Sequence, residues 1–409
     1  MTQTQKQFGI FSLPVIIAAL GYFVDIYDLL LFSIIRVPSL KSMGLTSDEA
    51  IEVGKRIINI QMMGLLIGGF LWGVMGDKIG RMKVLFASII LYSLGNIANG
   101  FVQTPEQYAW IRFISGIGLA GELGASITLV TEILPKNKRG LGTSVVAGIG
   151  LSGAVFAFIM KESFENWRIC YFIGGGMGFL LLLLRAGILE STMFHTIKSK
   201  EISKGNLLML VNNKRRFTNY IKAILIGIPT WYVIGLLLTF SDKFAKDLGV
   251  VERVDPGKSV MWAYVAIAIS DFMGGFVSHY FKSRKKAVWF FYSICIVALI
   301  LFFNLPNNNV NTFYFICALL GFGTGFWALF VTMAAEQFGT NIRATVTTTV
   351  PNIVRGSLVL TTFIFDSLKH NYSFVKSGWI TGVIIMSVAC LALFFTKETF
   401  HKDLDFIEE

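Results

Sequence analysis

The sequence predicts an all-α membrane protein in which twelve transmembrane helices form two six-helix pseudo-repeats, with both termini in the cytoplasm. Of its 409 residues, 54% are hydrophobic and only 15% are charged, which is too little charge for the surface of a soluble domain of this length. Apolar runs of about 20 residues recur along the whole chain, and each is long enough to cross a hydrocarbon core of roughly 30 Å. Strand-type alternation is weak, which disfavours a transmembrane β-barrel.

The positions of the apolar spans define the expected domain organisation. The longest polar interruption follows the sixth span and is rich in lysine and arginine. It predicts an N-terminal six-helix bundle over 1–190, a cytoplasmic linker over 191–220 and a C-terminal six-helix bundle over 221–409. The twelve predicted spans are roughly 9–35, 55–75, 84–103, 107–132, 140–160, 169–189, 221–241, 258–281, 287–304, 312–335, 345–366 and 377–396.

The placement of lysine and arginine sets the orientation of the predicted helices. With the N-terminus inside, basic residues concentrate in the cytoplasmic loops, as the positive-inside rule requires. They are Lys78, Arg81, Lys83, Lys136, Lys138, Arg139, those of the central linker, Lys282, Arg284, Lys285 and Lys286. Membrane topology therefore explains the net charge of +11, and a nucleic-acid partner is not needed. We expect a multi-pass protein of the bacterial cytoplasmic (inner) membrane, surrounded by the lipid bilayer.

Two short patterns occur once in each half of the chain, near the cytoplasmic ends of predicted helices. The recurring patterns are Gly68-Gly69-Phe70 with Gly274-Gly275-Phe276, and Glu132 and Arg139 with Glu336 and Arg343. They indicate a parallel repeat of six helices. Such a repeat places a substrate site at the interface of the halves, near the bilayer midplane, and predicts transport by alternating access.

The second cytoplasmic loop carries a glycine-rich charged motif, Gly73-Val-Met-Gly-Asp77-Lys78-Ile-Gly80-Arg81. Glycine permits a tight turn, and Asp77 at a helix end can pair with a cation such as Arg139. The motif resembles the signature loop between the second and third helices of the major facilitator superfamily. The resemblance implies the major facilitator fold and a gating role for the loop. The gating residues predicted are Gly73, Asp77, Gly80, Arg81, Glu132, Arg139, Glu336 and Arg343.

Asp25 and Asp28 lie in the first span, three residues apart and therefore on one face of the predicted helix. Ionisable groups inside a span are costly unless paired or hydrated, so each is a functional hypothesis. By helical rise, Arg112 of the fourth span has a depth similar to that of Asp28 and can bridge the two helices if they are neighbours. Such a pair can bind and release a proton as the surroundings of the aspartate change. The alternative is a fixed salt bridge. For Asp25 the alternative is a hydrogen-bond acceptor in helix packing.

Glu122 lies in the middle of the fourth span, among Gly116, Gly118, Gly121 and Gly124. The glycines thin this helix and let a neighbour or a ligand approach its backbone. Glu122 is predicted to be a second proton carrier, with a packed, protonated carboxyl as the alternative.

Arg355 lies near the midplane in the eleventh span, after Pro351 and Asn352. A guanidinium at this depth suits an anionic substrate, because its fork of N–H groups matches a carboxylate. Asp271 of the eighth span has a similar depth, so a structural Arg355–Asp271 pair is the competing interpretation. The other candidate substrate-binding residues, polar or aromatic side chains within spans, are Gln61, Asn352, Trp231, Tyr232 and Trp327.

Motifs in the first and fourth spans make the family resemblance more specific. The segment Gly21-Tyr-Phe-Val-Asp25-Ile-Tyr27-Asp28 resembles the acidic-x-aromatic-Asp signature of the metabolite:proton and sialate:proton symporters. The segment from Arg112 to Gly124 is similar to both families and to the sugar porters. In those families the first-span aspartate and the fourth-span arginine belong to the proton-coupling group, and the resemblance implies this role for Asp28 and Arg112. The predicted proton-coupling set is Asp28, Arg112, Asp25 and Glu122.

These features predict a secondary active transporter that takes up a small organic anion, such as a carboxylate or a sugar acid, by proton-coupled symport. The alternatives are a proton-driven efflux antiporter of a metabolite or drug, and uptake of a sugar or zwitterion. The fifth span reads Gly148-Ile-Gly150-Leu-Ser-Gly153, without the proline of the drug-antiporter motif, which argues against efflux. No catalytic residue, metal site or cofactor is expected, and the four cysteines lack metal-ligand spacing. We expect a monomer driven by the proton gradient.

Overall fold

The computed structural model describes residues 9–79, 81–122, 124, 126, 130, 134, 139–189, 210 and 212–400, and every regular element within them is helical. For 76–79, 81–82, 139–141, 144, 187–189, 340–341 and 343–344 it describes the backbone alone. Residues before and after the gap at 190–209 are called the N-terminal half and the C-terminal half. Most of the predicted linker lies outside the described residues.

Six helices of the N-terminal half lie within the described residues. They are α1 (Leu13–Ser42), α2 (Ser47–Ile79), α3 (Arg81–Asn99), α4 (Pro105–Leu119), α5 (Arg139–Ser163) and α6 (Trp167–Leu189). Thr104 caps α4 by accepting a hydrogen bond from the Gln107 N–H, which satisfies one of the free donors at that end. The second part of the predicted fourth span falls largely outside the described residues.

The C-terminal half continues with nine helices among the residues described. They are α7 (Lys214–Trp231, extended by a π-helix over Tyr232–Leu238), α8 (Ser241–Asp247), α9 (Pro256–Phe281), α10 (Arg284–Phe303), α11 (Val310–Thr324), α12 (Trp327–Gln337), α13 (Thr340–Gly356), α14 (Leu358–Lys369) and α15 (Phe374–Phe394). The predicted tenth and eleventh spans are thus each divided into two helices.

Length and hydropathy support membrane insertion for much of the described chain. Nine helical segments within it are long and apolar enough to cross a bilayer. They are Leu13–Ser42, Ser47–Met75, Val145–Ser163, Trp167–Ala186, Lys214–Leu238, Pro256–Phe281, Arg284–Phe303, Val310–Gln337 and Phe374–Phe394. A shorter apolar helix covers Lys83–Asn99. The all-helical membrane fold predicted from the sequence is confirmed, whereas the count of twelve transmembrane helices stays a prediction.

Close helix packing depends on glycine at specific crossings. A Cβ at Gly64 of α2 would overlap the Phe113 carbonyl of α4, and a Cβ at Gly116 of α4 would overlap the Gln61 carbonyl of α2. The backbones of α2 and α4 therefore approach each other closely, which small residues at a helix interface allow in membranes. Between the halves, α2 packs against α13 and α5 packs against α9.

Three helices of the C-terminal half are interrupted where they face the N-terminal half. Pro229 lies inside α7 and is followed by the π-helix, because proline removes one donor of the helical ladder. Helices α11 and α12 are separated at Gly325 and Phe326, and α13 and α14 at Ser357. Irregular backbone within a membrane occurs where protein or a cavity can satisfy its polar groups. These interruptions therefore mark the part of the interface to search for a site.

Candidate functional site

A small cavity lies between the halves, next to the three interrupted helices. Its volume is about 20 Å³, which is room for about one water molecule. The N-terminal half contributes Tyr22, Ile26 and Leu151, and the C-terminal half contributes Thr230, Trp231, Ile234, Tyr264, Ile267, Thr324, Trp327 and Arg355. Four aromatic and four aliphatic side chains thus surround a single formal charge.

Arg355 carries that charge and is only partly hydrogen-bonded. Its side chain is 1% exposed, and Nη2 donates to Oδ2 of Asp25 at 3.2 Å. Neither Nε nor Nη1 of Arg355 has a hydrogen-bond partner among the described residues. The carbon at the centre of the guanidinium lies 5.9 Å from the ring centroid of Trp327. Two buried charged donors are therefore free to bind an additional acceptor.

The partner of Arg355 is not the one named in the competing interpretation. The competing interpretation placed Arg355 with Asp271, but Asp271 Oδ1 accepts a hydrogen bond from the Ala328 N–H at 2.9 Å. That N–H lies in the first turn of α12, which exists because the predicted tenth span is broken before Trp327. A carboxylate is favoured at a helix N-terminus. The sequence gives the depth of a residue in the membrane, and the break in the tenth span was not predicted. The choice between Asp25 and Asp271 as the partner of Arg355 could therefore not be made from the sequence.

Two more buried polar groups of the cavity wall are without partners in the described part of the chain. These are the indole N–H of Trp327 and the hydroxyl of Thr230. Their side chains belong to residues that are 6% and 3% exposed. Buried polar groups are normally hydrogen-bonded, so unpartnered donors on one cavity indicate a place for a polar ligand or water. Trp231 lines the same cavity, as expected for a substrate-binding candidate.

Asp28 and Arg112 meet inside the N-terminal half, both fully buried. Arg112 Nη1 donates to Asp28 Oδ1 at 2.6 Å, and Nη2 donates to the Asp28 carbonyl at 2.9 Å. Gln61 completes this network: its Oε1 accepts from Arg112 Nε at 3.2 Å, and its Nε2 donates to the Leu29 carbonyl at 3.2 Å. Gln61 therefore orients Arg112 and is not among the residues that line the cavity, which differs from its predicted role.

Glu122 is held by a partner that the sequence analysis did not identify. Arg185 of α6 donates from Nη1 to Glu122 Oε2 at 3.0 Å and from Nη2 to Oε1, while Ser126 donates to Oε1 at 3.1 Å. Arginine commonly contacts a carboxylate through two such hydrogen bonds, so Glu122 is packed against a cation, and its role as a proton carrier stays a prediction. The available signal was an arginine within the leucine-rich sixth span. A Cβ at Gly21 would overlap both charged groups, which explains glycine there.

The other predicted binding residues have structural partners. Asn352 Nδ2 donates to the Ala120 carbonyl at 2.8 Å and so joins α13 to the N-terminal half. Tyr232 donates from its hydroxyl to the Gly378 carbonyl at 2.7 Å and is not part of the cavity wall. Aromatic or amide character within a span does not distinguish these packing roles from ligand binding.

Most of the predicted gating residues cannot be placed in contacts. Gly80 and Glu132 lie outside the described residues, as do the side chains of Asp77, Arg81, Arg139 and Arg343. Gly73 lies in α2, where an added Cβ would be 3.6 Å from Thr349 of α13. Glu336 accepts from Arg284 Nη2 at 3.1 Å and from the Thr399 hydroxyl at 2.6 Å, within the C-terminal half.

Ion pairs connect the halves on the side where α1 ends, called the outer side after the predicted orientation. They are Arg36–Asp242 at 2.7 Å, Lys55–Asp366 at 2.5 Å, Lys369–Glu52 at 2.8 Å, and Lys161–Asp255. Arg36 and Lys55 are almost fully buried by these contacts. Local sequence features do not predict these pairs. They close the outer side of the interface in this conformation.

Comparison with known proteins identifies the family. The model of the Major Facilitator Superfamily matches residues 15–355. The chain belongs to the Major Facilitator Superfamily. The resemblance drawn from the second cytoplasmic loop is thereby confirmed. As members of this superfamily and their relatives are transporters, the chain is a multi-pass membrane transporter of small molecules and not an enzyme.

Individual members of the superfamily are distant in sequence. The chain is 23% identical over 423 residues to the niacin transporter NiaP of Acinetobacter baylyi, covering 96% of this chain and 95% of the relative. It is 29% identical over 195 residues to the benzoate transport protein of the same organism, covering 46% and 41% respectively. The structure of the proton:xylose symporter XylE superposes with a TM-score of 0.70 at 16% identity, covering 95% of this chain and 96% of that one. That likeness shows the fold.

Proposed function

We propose that this member of the superfamily takes up a small organic anion by proton-coupled symport across the bacterial cytoplasmic membrane. Twelve transmembrane helices would form six-helix bundles over 1–190 and 221–409, joined by the linker 191–220, with both termini in the cytoplasm. The transporter works as a monomer by alternating access and uses no cofactor besides the proton gradient. The observation that carries the proposal is Arg355, a buried cation with two unpartnered nitrogens on the cavity between the halves.

The chemistry of the cavity supports an anion with a carboxylate. Arginine binds carboxylates through pairs of parallel N–H groups, and such charge-assisted bonds are the strong ones. The indole N–H of Trp327 and the hydroxyl of Thr230 add two further donors on the same cavity. Donors that lack acceptors in the absence of ligand become satisfied when a carboxylate binds.

The apolar part of the wall supports a substrate with a flat, apolar body. The described wall contains Tyr22, Trp231, Tyr264 and Trp327 together with aliphatic side chains. Relatives named for niacin and benzoate transport act on ring-bearing monocarboxylates, which agrees with this lining. We therefore favour an aromatic or similarly planar monocarboxylate within the predicted class of organic anions.

Proton coupling and alternating access rest on charged groups inside and at the ends of the helices. The Asp28–Arg112 pair is the group to which the sequence resemblance assigns coupling. The outer ion pairs hold the interface closed on one side, and an alternating transporter must break them to open. The counterpart on the inner side would be formed by Gly73, Asp77, Gly80, Arg81, Glu132, Arg139, Glu336 and Arg343.

Uptake by the purified protein in proteoliposomes tests the proposal. Labelled benzoate, nicotinate, glucuronate, xylose and glycine betaine are offered under an inward proton gradient, with and without an uncoupler. Liposomes without protein report passive permeation, which matters for weak acids. Accumulation of benzoate or nicotinate that collapses with uncoupler is the expected result. Uptake of xylose or betaine alone would refute the anion assignment, and loss of preloaded carboxylate against its gradient would establish efflux.

A further inference from the structure

We propose that the substrate carboxylate and the Asp25 carboxylate alternate on Arg355, so that each bound anion places one proton on Asp25. The inference rests on the proposed function and specifies its coupling. The Asp25 carboxylate, ionised while it contacts Arg355, takes a proton from the solution to which the cavity opens, and becomes a neutral carboxyl. Uptake of a monocarboxylate with one proton then moves no net charge.

The contact between Asp25 and Arg355 is suited to exchange. It consists of one hydrogen bond, from Nη2 to Oδ2 at 3.2 Å, and Asp25 Oδ1 has no partner in the described chain. In a guanidinium, Nη2 belongs to both edges that bind a carboxylate through two N–H groups. Nη2 has two N–H groups, one on each of these edges, so a substrate that engages Arg355 in this way shares this nitrogen with Asp25 and brings a second carboxylate beside it.

The Asp28–Arg112 pair provides an internal contrast. Arg112 donates from all three nitrogens, to Asp28 Oδ1, to the Asp28 carbonyl and to Gln61. Neither Asp28 nor Arg112 is among the residues that line the cavity. A carboxylate that enters when this cavity opens meets the unpartnered nitrogens of Arg355, whereas Arg112 offers no corresponding free nitrogen. The substrate-sensing carboxylate is therefore Asp25, and Asp28 keeps its predicted place in the coupling group.

Charge balance in a buried site requires the proton. Without substrate, Arg355 and Asp25 neutralise each other, and both are at most 1% exposed. A second carboxylate beside Arg355 would add an uncompensated negative charge, which is costly in a low-dielectric interior. Two carboxylates that share a site retain a proton on one of them. Because Asp25 cannot move to water in the closed state, it becomes neutral when the anion binds.

The other charged or titratable groups near Asp25 have their own partners or are neutral. They are Asp28 with Arg112, Glu122 with Arg185, Asp271 of α9 with the Ala328 N–H of α12, and the phenols of Tyr22 and Tyr264. None of these described groups supplies a second cation at the Asp25 carboxylate. The charge state of Asp25 therefore depends on whether Arg355 is bound by Asp25 or by the substrate carboxylate.

The position of the pair also links charge to conformation. Asp25 lies on α1 in the N-terminal half, and Arg355 lies on α13 in the C-terminal half. Two loading states leave the closed cavity without net charge: ionised Asp25 on Arg355, and protonated Asp25 with the anion on Arg355. A proton without substrate leaves Arg355 unpaired, and an anion without a proton leaves an excess carboxylate. The halves can close readily only in the two balanced states, which prevents proton leakage.

The first test counts protons in the wild-type protein. The panel carboxylate that it accumulates is titrated calorimetrically into detergent-purified protein, in two buffers with different ionisation enthalpies near neutral pH. The expected result is uptake of about one proton for each carboxylate bound. In proteoliposomes with a pH difference of one unit, electroneutral coupling predicts about tenfold accumulation, unchanged when valinomycin and potassium impose a membrane potential.

The second test replaces one carboxylate at a time. Asp25→Asn should still exchange labelled for unlabelled substrate, but its accumulation ratio should fall from about tenfold to about one, and calorimetric proton uptake should disappear. Asp271→Asn is the matched control: it removes an equally buried carboxyl, keeps an oxygen acceptor for the Ala328 N–H, and should retain the wild-type ratio.

The outcomes separate the inference from the proposed function. Carboxylate accumulation with no proton taken up on binding, or with full accumulation by Asp25→Asn, would overturn the role of Asp25 and leave anion uptake intact. Failure of the wild-type protein to transport any carboxylate would overturn both. Because the proton count uses the wild-type protein, it can refute the inference even if Asp25→Asn folds poorly.

Discussion

Glu122 and Arg185 form a two-point ion pair in the interior of the N-terminal half, with Arg185 Nη1 and Glu122 Oε2 3.0 Å apart. The two side chains are 0% and 5% exposed, respectively. Breaking a buried pair by removing one partner leaves an uncompensated charge, whereas replacing both partners can be nearly neutral. The pair joins α6 to the chain after α4 and packs against Gly21 of α1. It can therefore hold three elements together as well as carry a proton.

We predict that Arg185→Gln lowers the free energy of unfolding by about 3–5 kcal/mol. The double variant Glu122→Gln/Arg185→Gln should recover most of this loss, because no buried charge remains. Thermal unfolding in detergent measures both, with the exposed Arg253→Gln as a control for the loss of one arginine. If the double variant is stable and still accumulates substrate, Glu122 is not the predicted second proton carrier; if it is stable but only exchanges substrate, that role is supported.

Arg355→Gln should weaken binding of the transported carboxylate. Hydrogen bonds to charged groups contribute about 1.5–3 kcal/mol, which corresponds to an increase in Kd of roughly 10- to 150-fold. Calorimetry of the purified protein measures this change, again with Arg253→Gln as the control. An unchanged Kd would mean that Arg355 only stabilises the contact with Asp25. Since Arg355→Gln leaves Asp25 without its counter-charge, Arg355→Gln/Asp25→Asn should be tested beside it.

Asp28→Asn should abolish accumulation driven by the proton gradient while exchange of labelled substrate continues. The amide can still accept from Arg112 but cannot relay to Asp25 the single proton that accompanies each anion. Initial uptake and exchange rates in proteoliposomes separate the two activities. The fixed salt bridge is the alternative interpretation, and it predicts a different pattern: Asp28→Asn/Arg112→Gln would then accumulate substrate as well as the wild-type protein.

Removing outer ion pairs should favour opening of the outer side. Asp242→Asn removes the carboxylate partner of Arg36, and Asp366→Asn removes one of the two carboxylate partners of Lys55, which also pairs with Glu52 at 2.8 Å. At about 1 kcal/mol for a partly exposed pair, each change should raise the open population roughly fivefold. A cysteine introduced by Ser33→Cys reports this population, because Ser33 is buried against Thr239 of the other half.

The labelling rate of that cysteine by an impermeant maleimide is the measurement, with the protein lacking Ser33→Cys as background. Asp247→Asn is the matched control, because Asp247 pairs at 3.0 Å with Lys243 of its own helix α8. It should leave the labelling rate unchanged. Equal labelling in all variants would show that these ion pairs do not hold the outer side closed.

Local sequence features predicted much of the architecture and part of the site. Apolar length alone identified membrane helices, because every spanning segment must satisfy the same hydrocarbon thickness. Depth arithmetic brought Asp28 level with Arg112, and the structure places them in contact. Both results follow from regular helical geometry, in which position along the chain gives position along the membrane normal.

Helix breaks and lateral neighbours were not predictable in the same way. Asp25 and Asp271 have similar depths, and which of them meets Arg355 depends on how α1, α9 and α13 pack around the cavity. The break before Trp327 gave Asp271 a different partner. Glu122 was recognised, but Arg185 was missed because a single arginine in a span does not identify the helix it faces.

The sequence by itself determined that this chain is a helical membrane transporter, because hydrophobic length, basic loops and the Asp77 motif are local properties. It also selected the ionisable residues worth attention, since charges inside spans are rare and costly. Only the tertiary structure decided their partners: Arg355 with Asp25 across the halves, Glu122 with Arg185, and the ion pairs of the outer side. Those choices depend on lateral packing of helices distant in sequence, about which the position of a residue along its own helix carries no information.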